Sequence, residues 1–411
     1  MTTPFGWSST GTAERDVPVI RLKNDSDLTE KYEFGSKLGQ GSFGEVYEAT
    51  HLETRTKWAI KMVHRPAPGS KMVETVDNEI SILKQVNHAH IIHLEAIYNS
   101  AAMIYLVTEL CKGGDLKQLL QQKKSFTEDE TRKIIFSLAD AVVYLHQRNI
   151  VHRDLKLENI LLKNSSNEGD DRFDIKVADF GLSVKTGGVE IGNIMTEACG
   201  TLIYMAPEMM SGRGYSQWCD VWSIGVIMFM LLCGEPPFVS QTQRGLLKEI
   251  MNKVRFTQPA WASVSGAALD CDCCLEFVST AKWVLTYLLK VDPAYRMTAR
   301  QLLETPWIAG EHTVPSGPNN VLEMIDQLLE NNTNENRSYP GTEPVKDWSL
   351  ISAEETPESS LDHSCWSGAD LGPEAVTERL KKAHNRKSAH SSLTQQDCRP
   401  PLRSACSSDH H

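Results

Sequence analysis

The sequence predicts an α+β fold of two lobes, a small antiparallel β lobe with one helix followed by a larger, mainly helical lobe. Three observations carry this expectation. Strand-like runs at 34–63 and 104–109 bracket one helical stretch at 71–86. An amphipathic helix at 127–146 and an apolar run from Val221 to Cys233 follow. After Trp307 and Ile308 the composition shifts to Pro, Asn, Ser, Glu and Thr. The expected organisation is a flexible segment over 1–31, a two-lobed domain over 32–308 and a largely disordered tail over 309–411. The lobes are expected to meet near residues 110 and 111.

The 411 residues are 41% hydrophobic, enough for a sizeable core, and the formal net charge is −11. An acidic chain is a poor match for non-specific nucleic-acid binding. The Val221–Cys233 run contains Ser223 and Gly225 and falls short of the roughly 20 apolar residues of a membrane span. It reads as a buried helix, so no membrane insertion is expected. The first residues show no basic and apolar leader pattern, Met1 is not followed by Gly, and the chain does not end in a prenylation box. Ten cysteines without a leader are expected to be reduced thiols in the cytoplasm.

Within 34–63, Gly39, Gly41 and Gly44 join two extended runs. Glycines at such a turn let backbone N–H groups approach the phosphates of a nucleotide. A dinucleotide fingerprint would open a helix, whereas Val46, Tyr47 and Ala49 continue an extended pattern. Leu38, Gly39, Gln40, Gly41, Ser42, Phe43, Gly44 and Val46 are therefore the candidate nucleotide flap. In the next run Ala59 and Lys61 share a face by period two. Ala59 can line an adenine pocket, and Lys61 can reach the α and β phosphates.

Over 71–86, Val73, Val76, Ile80 and Leu83 recur at helical spacing, with Glu79 beside the stripe. Glu79 is the preferred ion-pair partner for Lys61, and Glu74 is the competing choice. Residues 104–116 read as a last strand running into a hinge. There Thr108 is a small residue at the back of the pocket, and the backbones of Glu109 and Cys111 are placed to pair with an adenine edge. Asp115 can hold ribose hydroxyls or a basic substrate residue. Thr127 and Glu130 form a capping box that opens the helix through His146.

That helix leads into VHRDLKLENILL at 151–162, a polar loop framed by apolar residues. Asp154 can accept a hydroxyl proton, Lys156 can neutralise a transferring phosphoryl group, and Asn159 can hold a metal ion through its amide oxygen. NSSNEGDDRFD at 164–174 is an exposed insertion between strands. Asp179, after the strand at 175–177, can chelate magnesium bridging phosphates. Asp220 can cap the buried helix and brace the loop backbone, and Arg296 is the expected buried partner of Glu208. The bunched Cys271, Cys273 and Cys274 of the insert at 266–278 lack a matching second pair and make a poor zinc site.

Taken together, GQGSFG, WAIK, Glu79, HRDLKLEN, DFG, APE, Asp220 and Arg296 resemble a eukaryotic protein kinase over residues 32–308. HRDLK, with Cys199-Gly200-Thr201 before APE, is similar to the serine/threonine type. CGEPPF, LKVDPAYR and NEISILKQVNHAHIIHLEAIY resemble the calcium/calmodulin-dependent kinase group. The resemblance implies transfer of the γ-phosphoryl of ATP, with Mg2+, to Ser or Thr hydroxyls of protein substrates, autophosphorylation included. Leu202 stands where Pro is usual and the 266–278 insert is unexpected; both bear on substrate docking and touch no catalytic group. A nucleotide-binding scaffold without transfer would require a lost catalytic group, and none is missing.

Regulatory candidates are Arg153, Thr196, Glu197 and Thr201. Arg153 can order a negatively charged activation segment, and Thr196 is a candidate phosphosite. By its spacing from Cys199, Glu197 sits where related kinases carry a phosphothreonine, so its carboxylate can stand in for phosphate. Asp115, Glu158 and Glu235 suggest an acidic rim favouring a basic residue upstream of the target. In the tail, the segment 321–330 is acidic and the basic patch at 378–387 lacks apolar anchors, so calmodulin is not an expected partner. The tail is left as a candidate docking arm for other partners.

Overall fold

The computed structural model describes residues 15–41, 44–67, 69–164, 173–186, 200–212, 216–252, 254–257, 261, 264 and 279–311. Ser42, Phe43, Thr196, Glu197, the 266–278 insert and the tail from 312 lie outside these residues.

The small lobe runs β1 (Val19–Arg21), α1 (Ser26–Thr29), β2 (Tyr32–Gly41), β3 (Gly44–His51), β4 (Lys57–His64), α2 (Lys71–Gln85), β5 (Leu94–Asn99) and β6 (Met103–Glu109). Its six strands form one sheet in the order β1-β5-β6-β4-β3-β2. All pairs are antiparallel except β1 on β5. Period-two alternation sorts the side chains into two cores. Ile60, Tyr105 and Val107 enter the outer core, while Val63, Ile104 and Leu106 face α2 and the large lobe. With both faces covered, these strands read as continuous apolar runs. At Gly44 a Cβ would meet the Met62 carbonyl oxygen at 2.0 Å, so the β3–β4 approach there requires glycine.

The structure corrects the expectation of a flexible lead-in for residues 15–31; residues 1–14 lie outside the described residues. Residues 15–31 are built into the small lobe: β1 adds a strand to the sheet, and Leu22 and Leu28 are buried in the outer core. Val17 is buried in the inner one. The segment is ordered by packing rather than by propensity, since a three-residue strand and a four-residue helix have little intrinsic stability.

The large lobe contains α3 (Leu116–Lys123), α4 (Glu128–His146), β7 (Ile150–Val151), a 3-10 turn (Leu157–Asn159), β8 (Ile160–Leu162), β9 (Ile175–Val177), β10 (Val184–Lys185), α5 (Pro207–Met210), α6 (Trp218–Cys233), α7 (Gln243–Met251), α8 (Thr280–Leu288) and α9 (Ala299–Leu303). The Thr127–Glu130 capping box opens α4, whose Ile134, Leu138, Val142 and Leu145 are fully buried. β8 pairs with β9, and β10 pairs with β7. The loop from β7 to β8 and the segment from β9 to β10 are thereby forced side by side, which is the construction the site requires. Among the described residues no helix is long and apolar enough to cross a membrane.

Arg296 is 1% exposed and makes a bidentate pair with Glu208 at 2.7 and 2.9 Å. It also donates to the Trp218 and Lys290 carbonyls. Removing one charge from such a pair strands the other in the interior. Glu208→Gln is expected to cost about 3 kcal/mol in a denaturation measurement. A parental midpoint would show that the pair does not hold the lobe.

Candidate active site

The cleft is a cavity of about 620 Å³, within the range of small-molecule sites. Leu38, Gly39, Gln40 and Val46 line its roof, and Ala59, Lys61 and Glu79 its back. Glu109, Cys111 and Asp115 line the hinge side, and Lys156, Asn159 and Asp179 the floor. Gly41 and Gly44 face each other at the tip of the β2–β3 hairpin.

α2 brings Glu79 to Lys61, with both carboxylate oxygens 2.8 Å from the ammonium. Of the expected stripe, Val76 and Leu83 are buried, and Ile80 packs partly covered against the core. Glu79 and Ile82 are the helix's other buried residues, and Glu74 is exposed. Burial pulls the Lys61 pKa down, but the charges of Glu79 and Asp179 outweigh it and hold the value above that of a free lysine. Lys61 is thus a fixed cation at the back of the cleft.

The loop after β7 is braced from below by Asp220. This carboxylate is 1% exposed and accepts from the backbone N–H of His152 (3.0 Å) and of Arg153 (2.9 Å), and it lies 2.8 Å from His146 Nε2. Burial alone would raise its pKa; the His146 bond, the charges of His146 and His152 and the backbone bond hold it low. Asp220 lies in the first turn of α6 and not at its cap, which is Gln217, so the expected capping role gives way to the bracing one. Arg153 and Asp179 both adopt left-handed φ values, 69° and 64°. Such backbone costs on the order of 1–3 kcal/mol per residue and persists where the surroundings impose it.

Around Asp154 the polar contacts converge. Lys156 Nζ lies 2.5 Å from one carboxylate oxygen, and the Thr201 N–H (3.0 Å) and hydroxyl (3.2 Å) donate to the other. The Asn159 amide nitrogen donates to the Asp154 carbonyl at 2.8 Å, which leaves its oxygen as the donor atom for a cation. Thr201, expected among the regulatory residues, is therefore seated on the catalytic loop. Gly200, which the sequence offers only as part of the Cys199-Gly200-Thr201 motif, packs against the same loop. A Cβ there would meet the Arg153 carbonyl oxygen at 2.8 Å, and its φ is 103°. Arg153 Nε donates to the Leu182 carbonyl. Phe180 is fully buried, its ring 4.9 Å from that of His152.

At the hinge, the Glu109 N–H donates to the His93 carbonyl at 3.0 Å, so of its backbone groups only the carbonyl can serve a ligand. Its side chain turns away and pairs with buried Lys176 at 2.8 Å, a partner the sequence reading did not single out. Asp115 accepts from the Gln118 N–H at 2.8 Å and caps α3. Burial pushes the Cys111 thiol up to about 12.

The site suits a nucleotide with a divalent cation. Gly39 lines the cleft, and a Cβ on it would meet nothing within 4 Å, which is open space against a backbone that can approach phosphates. Lys61 is a cation placed where phosphate charge could be met, and Asn159 and Asp179 present oxygen atoms of the kind a hard divalent cation such as magnesium would take.

The sequence profile of the protein kinase domain matches residues 32–308. This chain belongs to the protein kinase family. It is 47% identical over 328 residues to serine/threonine-protein kinase 33 of Mus musculus, covering 79% of this chain and 64% of that protein. It is 35% identical over 301 residues to myosin light chain kinase A of Dictyostelium discoideum (73% and 94% covered). Against calcium/calmodulin-dependent protein kinase type 1 of Caenorhabditis briggsae it is 37% identical over 287 residues (69% and 74%). The match thus spans less than two thirds of the mouse relative's length.

The depressed folded-state pKa of Asp220 fixes a sign. Its stabilisation is fully present above the unfolded-state carboxylate value of about 3.9 and is lost as pH falls through the lower folded value. Asp220→Asn is expected to be less stable at neutral pH and to lose less on acidification from about pH 5 to 2. Parallel acid limbs for variant and parent would contradict this.

Proposed function

We propose that the chain is a serine/threonine protein kinase that transfers the γ-phosphoryl of ATP to Ser or Thr hydroxyls of proteins, its own residues included. The observation that carries this reading is the Asp154 carboxylate held by Lys156 and Thr201 beside Asn159. Asp154 orients the acceptor hydroxyl and takes its proton. Lys156 offsets charge on the transferring group. Lys61, fixed by Glu79, positions the α and β phosphates. Asn159 and Asp179 would hold magnesium, which when bound neutralises phosphate charge. Each role is positioning or electrostatic, as a loose phosphoryl-transfer transition state requires. Asp154→Asn is expected to lower transfer to a Ser/Thr peptide by at least about 100-fold while ATP still binds. Retained transfer would remove the assignment.

The substrate reading is an acidic rim that takes a basic residue upstream of the target. Support comes from Asp115 and Glu158, which share the cleft. Glu158 Oε2 is buried without a partner among the described residues. Its other oxygen is 2.6 Å from Lys117 Nζ, so a substrate cation has to compete with that lysine. Glu235 is exposed and does not line the cleft. A positional peptide array is expected to show enrichment for Arg or Lys upstream of the acceptor, reduced in Glu158→Gln. A flat array would sink the acidic-rim reading.

Control is proposed to be independent of calmodulin, on the acidic 321–330 segment and the anchor-poor 378–387 patch, with the tail left to dock other partners. Glu197 is proposed to stand in for an activating phosphate, with Arg153 as its counter-charge. A cytoplasmic setting is proposed on the ten cysteines; Cys111, Cys219 and Cys233 are free thiols.

A further inference from the structure

Residues 15–31 precede the matched kinase domain, and phosphoryl transfer as derived above makes no use of them. Their contacts nevertheless end on the nucleotide hinge. Arg15 Nη2 lies 2.7 Å from His93 Nε2 and donates to the Leu94 carbonyl at 2.9 Å. His93 is bonded twice to Glu109, the first hinge residue. Its N–H donates to Glu109 Oε1 at 2.8 Å, and its carbonyl accepts the Glu109 N–H at 3.0 Å. The same Oε1 is 2.8 Å from Lys176 Nζ, on the strand that leads into Asp179.

We propose that residues 15–31 form a latch on the nucleotide hinge, in which Arg15 is a positioning residue that fixes His93 and through it the Glu109 peptide facing the adenine. This rests on the kinase reading, since it assigns the Glu109 carbonyl to the nucleotide. The latch is anchored along its length. β1 pairs with β5 from Val19–Ile97 to Arg21–Asn99, the Leu22 N–H donates to the Asn99 carbonyl at 2.8 Å, and Ile97 donates to the Pro18 carbonyl at 2.9 Å. Farther on, the Tyr105 hydroxyl donates to Asp25 at 3.0 Å, and Leu28 is 1% exposed. β5, β6 and the hinge are thereby clamped from the sheet edge.

The chemistry of the contact is specific. A guanidinium only donates, so His93 Nε2 serves Arg15 only while it carries no proton. With a proton it would donate instead to Glu95, 3.3 Å away. The two Arg15 bonds are both made by Nη2, and Nη1 is buried without a partner among the described residues. One nitrogen thus does the anchoring, and a lysine ammonium, which ends one bond short of Nη2, is not its equivalent.

The test uses the full chain, with Mg-ATP as the probe in isothermal titration, alongside KM for ATP and kcat on a Ser/Thr peptide. Loss of a charged hydrogen bond that orders the hinge is expected to weaken Mg-ATP binding about tenfold in Arg15→Met, with kcat at saturating ATP within about twofold of the parent. His93→Ala keeps the backbone bonds to Glu109 but removes Nε2. It should weaken ATP comparably, and combining it with Arg15→Met should add little. Parental ATP affinity in Arg15→Met overturns the latch. A fall in kcat with ATP affinity unchanged does so as well. If Arg15→Met does not fold, His93→Ala decides alone, and parental affinity there is fatal. A parent that binds ATP but transfers nothing refutes the kinase reading while leaving the latch measurable by titration; a parent that binds no ATP refutes both.

Discussion

The buried carboxylate of Asp220 is the constraint on which the catalytic loop depends. A loop of polar residues has no ladder of its own to hold it, and its N–H groups need partners once buried. Asp220 supplies them from the first turn of the largely buried helix α6, one oxygen taking the Arg153 N–H and the other the His152 N–H beside His146 of α4. Two core helices and the loop meet at one charge. With His152 and Arg153 fixed, the left-handed turn at Arg153 leads into Asp154, which Lys156 and Thr201 hold, and Gly200 packs against the Arg153 carbonyl. The bracing group fixes the backbone at His152 and Arg153, directly before Asp154.

The two lobes are joined by packing as well as by the hinge. The core that takes Val63, Leu83 and Leu106 from the small lobe is continuous with the one that takes Leu138, Leu157 and Phe180 from the large lobe. The outer core of the small lobe is separate, and the segment at 15–31 helps to close it. The inner core supports the floor and back of the nucleotide cleft, and the outer one stiffens the sheet above it. Lys61 and Glu79 are formed on the boundary, where a buried pair can be satisfied only if α2 sits against the sheet.

Much of the site was legible in the sequence because phosphoryl transfer needs particular groups at fixed offsets. Asp154, Lys156 and Asn159 lie on one loop, and Lys61 and Ala59 share one face of one strand. The ion pair of Glu208 with Arg296 could be read from motif alone. What escaped was set by tertiary packing. The segment at 15–31 carries too few apolar residues to show a period, and its order comes from the β5 edge it joins. The aliphatic stripe of α2 marks its core face, but the burial of Ile82 beside Glu79 is set by packing against the sheet. Lys176 carries no sequence signal because its partner, Glu109, lies 67 positions earlier and only the fold brings them together. Gly200 showed no local signal beyond its place between Cys199 and Thr201.

The central claim is that these groups are already assembled for transfer, with Lys61 on Glu79, Phe180 buried against His152 and Asp154 held by Thr201. The most direct measurement is the initial rate of phosphate transfer from ATP to a Ser/Thr peptide by the phosphatase-treated full chain, with phosphatase then removed. A preassembled site predicts product that is linear in time from the first point, with no lag. A chain that binds ATP but transfers nothing until it has been phosphorylated would contradict it.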